Sequence, residues 1–203
     1  QLNLPEFRKL HPFLQETIIE LVARIFTGVP LESNKVSRIL GLLQAEVGKH
    51  VATSKHLSVY RDRQQLVFTS GAKRPGVECE IRPNRSYTFG DFRFSSKTVP
   101  RKAVRWTNNR NVEYVDADRL NNRLVLRTWK KGDWFKPLGL RGNKKLSDFL
   151  IDEKIALYEK ESIPVLESHG NIVWVCGVRL DDRCRITDST RNVLKLEIEN
   201  KEA

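Results

Sequence analysis

Apolar residues recur at helical spacing in the first third of the chain and at alternate positions after it. Leu14, Ile18, Leu21, Val22 and Ile25 fall on one stripe, which predicts a helix over residues 12–26. Pro12 suits its first turn, and Gly28 followed by Pro30 stops it. Ser33 predicts the N-cap of a second helix, with Val36, Ile39, Leu40, Leu43 and Val47 on its apolar side and Gly48 at its end. Two short alternating runs, 57–60 and 66–69, flank the polar Asp62-Arg63-Gln64, the pattern of a β-hairpin.

Residues 70–77 carry glycine, proline and charge and read as a linker. Beyond it the period is two. Tyr87 and Phe89 face Phe92 and Phe94 across Gly90-Asp91, a second hairpin signal. Strands are expected at 112–115, 124–126, 172–175 and 194–198, a turn at His169-Gly170-Asn171, and one short helix near 144–151. The expected fold class is α+β: a small helical unit with a strand pair over residues 1–72, then a β-rich α+β domain over 73–203.

Composition narrows the partners. The chain has 203 residues, a net charge of +11 and a pI near 9.8. Its 39% hydrophobic content is enough for packed cores. The basic excess favours an acidic partner without choosing among RNA, DNA and an anionic membrane. No apolar run approaches the ~20 residues of a spanning helix, and the N-terminus reads as neither signal nor transit peptide. A cytoplasmic protein with no membrane partner is the expectation. Cys79, Cys176 and Cys184 form no CxxC pair and read as small buried or reduced side chains. His11, His50, His56 and His169 are scattered, so no metal site is expected. Gln1 opens the chain and no methionine occurs, which reads as a piece of a longer polypeptide.

The candidate chemistry is anion binding. Between residues 127 and 145, Arg127, Lys130, Lys131, Lys136, Arg141, Lys144 and Lys145 interleave with Trp129, Trp134 and Phe135, and Gly132 and Gly139 permit tight turns. Lysines meet phosphates as point charges and arginines fork onto their oxygens. Lys144 and Lys145 fall at the expected start of a helix, whose free N–H groups also favour anions. The aromatics read as core before they read as platforms for stacked bases. Asp148 and Asp152 share the lysines' face and would partly neutralise them. Arg179, Arg183 and Arg185 form a second candidate phosphate surface, evenly balanced against a solvated loop because Asp181, Asp182 and Asp188 dilute it. Asp116, Asp118 and Asp133 read as turn or cap residues. Ser70-Gly71-Ala72 lacks the second glycine, the aspartate and the second serine of an SGGxDS pyrophosphatase loop, and neither GxxxxGKS/T nor GxGxxG occurs. No catalytic residue and no cofactor-binding residue is therefore assigned.

The order of motifs resembles the tRNA(Ile)-lysidine synthase family. Asp116-Ala117-Asp118-Arg119-Leu120, Leu124-Val125-Leu126-Arg127, Gly132-Asp133, Phe135, Pro137-Leu138-Gly139, Lys144-Lys145-Leu146-Ser147-Asp148, Pro164-Val165-Leu166 and Ile172-Val173-Trp174-Val175 with Gly177 and Arg179 carry the likeness. Leu140 departs from it, since methionine is common there. The resemblance implies the middle and C-terminal domains of a ligase that joins lysine to the anticodon wobble cytidine of tRNA(Ile). ATP and Mg would belong to an N-terminal catalytic domain outside this sequence, so the chain alone is expected to be inactive. The implied partners are tRNA and that catalytic domain, with a homodimer left open. A protein-interaction module or a general RNA-binding module is the alternative.

Overall fold

The computed structural model describes residues 1–54, 56–70, 78–120 and 123–200. The fold is α+β, as the sequence leads one to expect. It divides into two compact units, Gln1–Lys73 with Ala156–Lys160, and Arg74–Ile155 with Glu161–Ala203. Apart from Ser70, the linker expected at 70–77 lies outside the described residues.

The first unit runs β1 (Leu2–Asn3), α1 (Leu4–Arg8), α2 (Pro12–Thr27), α3 (Ser33–Gly41), β2 (His50–Ser54), β3 (Leu57–Arg61) and β4 (Gln65–Thr69). Its strands form an antiparallel sheet in the order β1-β4-β3-β2. The expected hairpin is β3–β4, with Val59 opposite Phe68 and Tyr60 opposite Val67. The helix over 12–26 forms: the His11 ring accepts the Phe13 N–H and Gly28, at φ 73°, closes the last turn. Its buried arc is not the one expected. Ile19 and Ala23 are fully buried, while Leu14, Leu21 and Ile25 are 46, 62 and 77% exposed. Periodicity alone does not say which arc of an apolar helix face packs against its neighbours. α3 stops at Gly41 because Leu42 and Leu43 donate to carbonyls only three residues back, tightening the chain into turns and leaving Val47 exposed. Its N-cap is Glu32, without a side-chain cap bond; Ser33 is already helical.

The second unit contains β5 (Glu78–Ile81), β6 (Arg85–Phe89), β7 (Phe92–Pro100), β8 (Val112–Asp116), β9 (Leu124–Thr128), β10 (Trp134–Phe135), β11 (Lys144–Lys145), α4 (Leu146–Asp152), β12 (Pro164–Ser168), β13 (Asn171–Val175), β14 (Arg179–Leu180) and β15 (Asn192–Asn200). The intervening α5 (Leu157–Lys160) belongs with the first unit, where Tyr158 packs its ring 5.9 Å from Tyr60. Two antiparallel sheets, β14-β13-β12-β9-β5 and β6-β7-β15-β8, share one core. Leu126, Leu166 and Trp174 from the first meet Phe94, Val115 and Leu196 from the second, each fully buried. The expected facing pairs occur, Phe89 opposite Phe92 and Tyr87 opposite Phe94. His169 and Gly170 both take positive φ, 51° and 77°, making a two-residue turn between β12 and β13.

A bulge in that hairpin matters for the site. Leu166 pairs with Trp174 but Glu167 pairs with Ile172, so Val173 is the extra residue. Val173 and Trp174 therefore both face the shared core, and Ile172 and Val175 both face away from it. On that far side they join Phe135, Leu146, Phe149 and Leu150, which seats α4 and β10 on the outside of the sheet.

Candidate nucleic-acid interface

β9 carries Arg127 into the interior, where it is 5% exposed. Its Nε donates to Glu167 at 2.6 Å, and its two terminal nitrogens fork onto Asp133 at 2.8 and 3.0 Å. Burial works against the charge, but these carboxylates outweigh it and the guanidinium holds its proton more firmly than usual. Asp133 also accepts the Lys130 N–H, pinning the turn after β9. Arg127 is thus an internal strut: four of its five N–H groups are donated to Glu167, Asp133 and the Thr128 carbonyl, which leaves little of the expected phosphate contact to it.

The segment after the turn forms the β10–β11 ladder, with Trp134 opposite Lys145 and Phe135 opposite Lys144. Lys144 and Lys145 lie in this strand pair, not within the helix. Lys145 is the helix N-cap residue, and the Leu146 N–H is already donated to the Asp133 carbonyl. The two aromatics next to each other have opposite fates. Phe135 is fully buried against Phe149, edge to face, and Trp129 packs on the same cluster. Trp134 is 47% exposed, with the Arg183 guanidinium 5.3 Å from its ring. Gly139 and Gly142, at φ 84° and 83°, turn the connection between the two strands and leave Leu140 and Arg141 exposed.

Asp181 draws the two cation clusters together. Fully buried, it accepts the Lys136 N–H at 2.9 Å, the Arg183 N–H at 2.9 Å, and the Arg183 guanidinium at 2.9 and 2.8 Å. The Asp182 N–H donates to the Lys136 carbonyl and the Leu138 N–H to the Leu180 carbonyl, so residues 136–138 run beside 180–182. What reads in sequence as two surfaces, 127–145 and 179–185, is one in the fold.

Many of its charges are already matched. Lys136 and Arg185 share Asp182, Lys144 pairs with Asp152, Arg179 pairs with Glu153, and Lys130 pairs with Glu78. The Lys130–Glu78 pair has both partners more than half exposed, so it is weak and exchangeable. Lys131, Arg141 and Lys145 are exposed, and their side chains have no hydrogen-bond or ion-pair partner among the described residues. The cations left without a partner are Lys145, opposite Trp134 in the ladder, and Lys131 and Arg141, on the segments before and after β10. A further basic stretch escapes the motif reading: residues 100–111 hold Arg101, Lys102, Arg105, Trp106 and Arg110 without one carboxylate. The missing acids are the signal available in sequence.

The aspartates hold the scaffold together. Asp116, nearly fully buried, accepts the Thr190 hydroxyl at 2.7 Å and the Asp118 N–H at 3.0 Å. Asp118 accepts the Arg191 N–H at 2.7 Å and the Asn192 amide at 2.6 Å, which hold its carboxyl below the usual range. Together they tie the end of β8 to the start of β15. Among the described residues, no group of three or more His, Cys, Asp or Glu could hold a metal ion, and no helix is long and apolar enough to cross a membrane.

Comparison with known proteins follows the same stretch. Residues 124–197 match the family model of the TilS substrate C-terminal domain. The chain is 39% identical over 157 residues to the tRNA(Ile)-lysidine synthase of Parabacteroides distasonis, covering 77% of this chain and 36% of that protein. It is 33% identical over 171 residues to the Bacteroides thetaiotaomicron synthase, covering 82% and 36%. The chain thus spans about a third of the length of these curated relatives. A crystal structure of a TilS C-terminal domain aligns with a TM-score of 0.57 at 21% identity, over 64% of this chain and all of that one, and shows a shared fold. With the domain match over residues 124–197 and ordered similarity across most of its length, the chain matches the TilS substrate C-terminal domain and part of several tRNA(Ile)-lysidine synthases.

Proposed function

We propose that this chain is the tRNA-gripping region of a tRNA(Ile)-lysidine synthase, which ligates lysine to the anticodon wobble cytidine of tRNA(Ile) using ATP. One observation carries the reading: Trp134 stands half exposed between Lys145 and Arg183, with the uncompensated Lys131 and Arg141 on the loops that flank its strand. An indole face suits an unpaired or terminal base, and lysines without carboxylate partners suit the adjoining phosphates. Phosphates displace nothing at Lys131, Arg141 and Lys145, whereas at Lys144 and Arg179 they compete with Asp152 and Glu153. The ligation chemistry, with its ATP and Mg, is assigned to sequence beyond these 203 residues.

Binding of a tRNA(Ile) transcript across a salt series tests this. Each phosphate that is no longer neutralised takes about 0.7–0.9 off the slope of log K against log salt. The Lys131→Ala/Arg141→Ala/Lys145→Ala variant should flatten the slope by roughly 2, and Lys144→Ala should change it little. An unchanged slope in the triple variant removes this surface from the interface. Equal, weak binding to tRNA and to an unrelated duplex would instead indicate a general RNA-binding module.

A further inference from the structure

The sequence from residue 92 to residue 112 contains no Asp or Glu, while it holds Arg93, Lys97, Arg101, Lys102, Arg105 and Arg110. Its second half, residues 100–111, lies outside the matched family domain, which begins at 124. It leaves β7 through a 3-10 turn, Arg101–Ala103, and returns into β8. Both ends are fastened. Arg101 donates to the Asp188 carbonyl at 2.7 Å and to its carboxylate at 3.2 Å, and Arg110 reaches Glu153 at 3.3 Å. The Asn111 carbonyl accepts the Ile198 N–H of β15. These two anchors consume the end cations.

The middle is left without counter-ions. Lys102 is exposed, with no partner for its ammonium among the described residues. Arg105 folds one terminal nitrogen onto the carbonyls of Lys102 and Val104, at 2.9 and 3.1 Å, and meets no carboxylate among the described residues. The guanidinium is thus held by two carbonyls through one nitrogen, and its other two nitrogens have no partner among the described residues. Next to it Trp106 is 74% exposed, whereas Trp174 is fully buried and Trp129 packs on a core cluster. A large indole kept in water beside two uncompensated cations, on a loop anchored at each end, has the make-up of a nucleotide platform. Charge complementarity favours RNA over a neutral protein surface, and the planar ring favours an unpaired base over a continuous duplex.

We infer that residues 100–111 form a second RNA contact, in which Trp106 stacks on an unpaired base while Lys102 and Arg105 meet the neighbouring phosphates. This rests on the tRNA-gripping reading but uses none of the residues assigned to it.

The test uses the whole chain and two labelled RNA probes: a blunt hairpin, and the same hairpin with a short unpaired tail. Trp106→Ala should weaken binding to the tailed probe about tenfold, leave the blunt probe within about twofold, and keep the salt slope. Trp106→Phe should retain most of the affinity, since a phenyl ring also stacks. Lys102→Ala/Arg105→Ala should flatten the slope by roughly 1.5 on the tailed probe. Parental affinity in Trp106→Ala overturns the inference, as does an equal loss on both probes, which would mean that the ring supports the loop. If the Lys131/Arg141/Lys145 variant loses affinity and Trp106→Ala does not, the second surface fails and the first stands. If the parent binds neither probe, both fail. Weakened binding of Trp106→Ala to anionic vesicles with unchanged RNA binding would reassign the loop to a lipid surface.

Discussion

Arg127 and Arg141 are alike in type and opposite in use. Arg127 is enclosed by Asp133 and Glu167, so removing it strands two mostly buried carboxylates. Arg127→Ala should destabilise the second unit by about 3 kcal/mol, read by urea unfolding, whereas the exposed Arg141→Ala should cost less than about 0.5 kcal/mol. Glu113 presents the reverse problem. Burial disfavours its charged form, ahead of the opposing Tyr114 N–H and the charge of Arg179, and raises its carboxyl above the usual range. The neutral form is then the better partner of the folded state. That stability is complete below about pH 4 and is lost as pH rises through the raised pKa. Glu113→Gln should therefore raise Tm at about pH 7 and change it little near pH 3. Burial also pushes the Cys184 thiol up to about 12 and the Cys176 thiol higher still. Alkylation of native protein near pH 8 should label Cys79, which is only partly buried, ahead of both. The sequence reads the three cysteines as small buried or reduced side chains; all three are free thiols, Cys176 and Cys184 buried and Cys79 partly so.

At the scale of elements, the strap between residues 136–138 and 180–182 unites the surface, and its keystone is the Asp181 carboxylate. Asp181→Ala leaves four donors on Lys136 and Arg183 without their acceptor. A drop of about 3 kcal/mol in unfolding free energy is expected, with weaker RNA binding because Arg183 no longer lies over Trp134. Asp181→Asn, which keeps the shape, should recover part of the stability. In sequence Asp181 looks like a charge that dilutes three arginines; nothing in its neighbours marks it as buried. A strand with strong alternation, such as β15, is legible because Leu194, Leu196 and Ile198 share one buried face. β10 and β11, two residues each, carry no period to read. The bulge at Val173 is equally hidden, since a register shift depends on the partner strand.

For the whole molecule, the two units have separate clusters of buried side chains, Ile19, Ile39 and Leu57 in one and Phe94, Leu126 and Trp174 in the other. All four tryptophans lie in the second unit. Urea unfolding followed by tryptophan fluorescence should therefore differ in midpoint from unfolding followed by far-UV circular dichroism, which sees both units; coincident curves would show one cooperative block. The sequence by itself determined the α+β class, most strand positions, the tight turns and the basic excess. Each of these follows from local periodicity, glycine conformation or composition. Which cations face solvent was decided only by the tertiary structure. Residues far apart in the chain, Arg127 with Glu167, Lys136 with Asp182 and Arg110 with Glu153, become ion pairs when the sheets assemble. The electrostatic surface is what those pairings leave over, and no local pattern encodes a remainder.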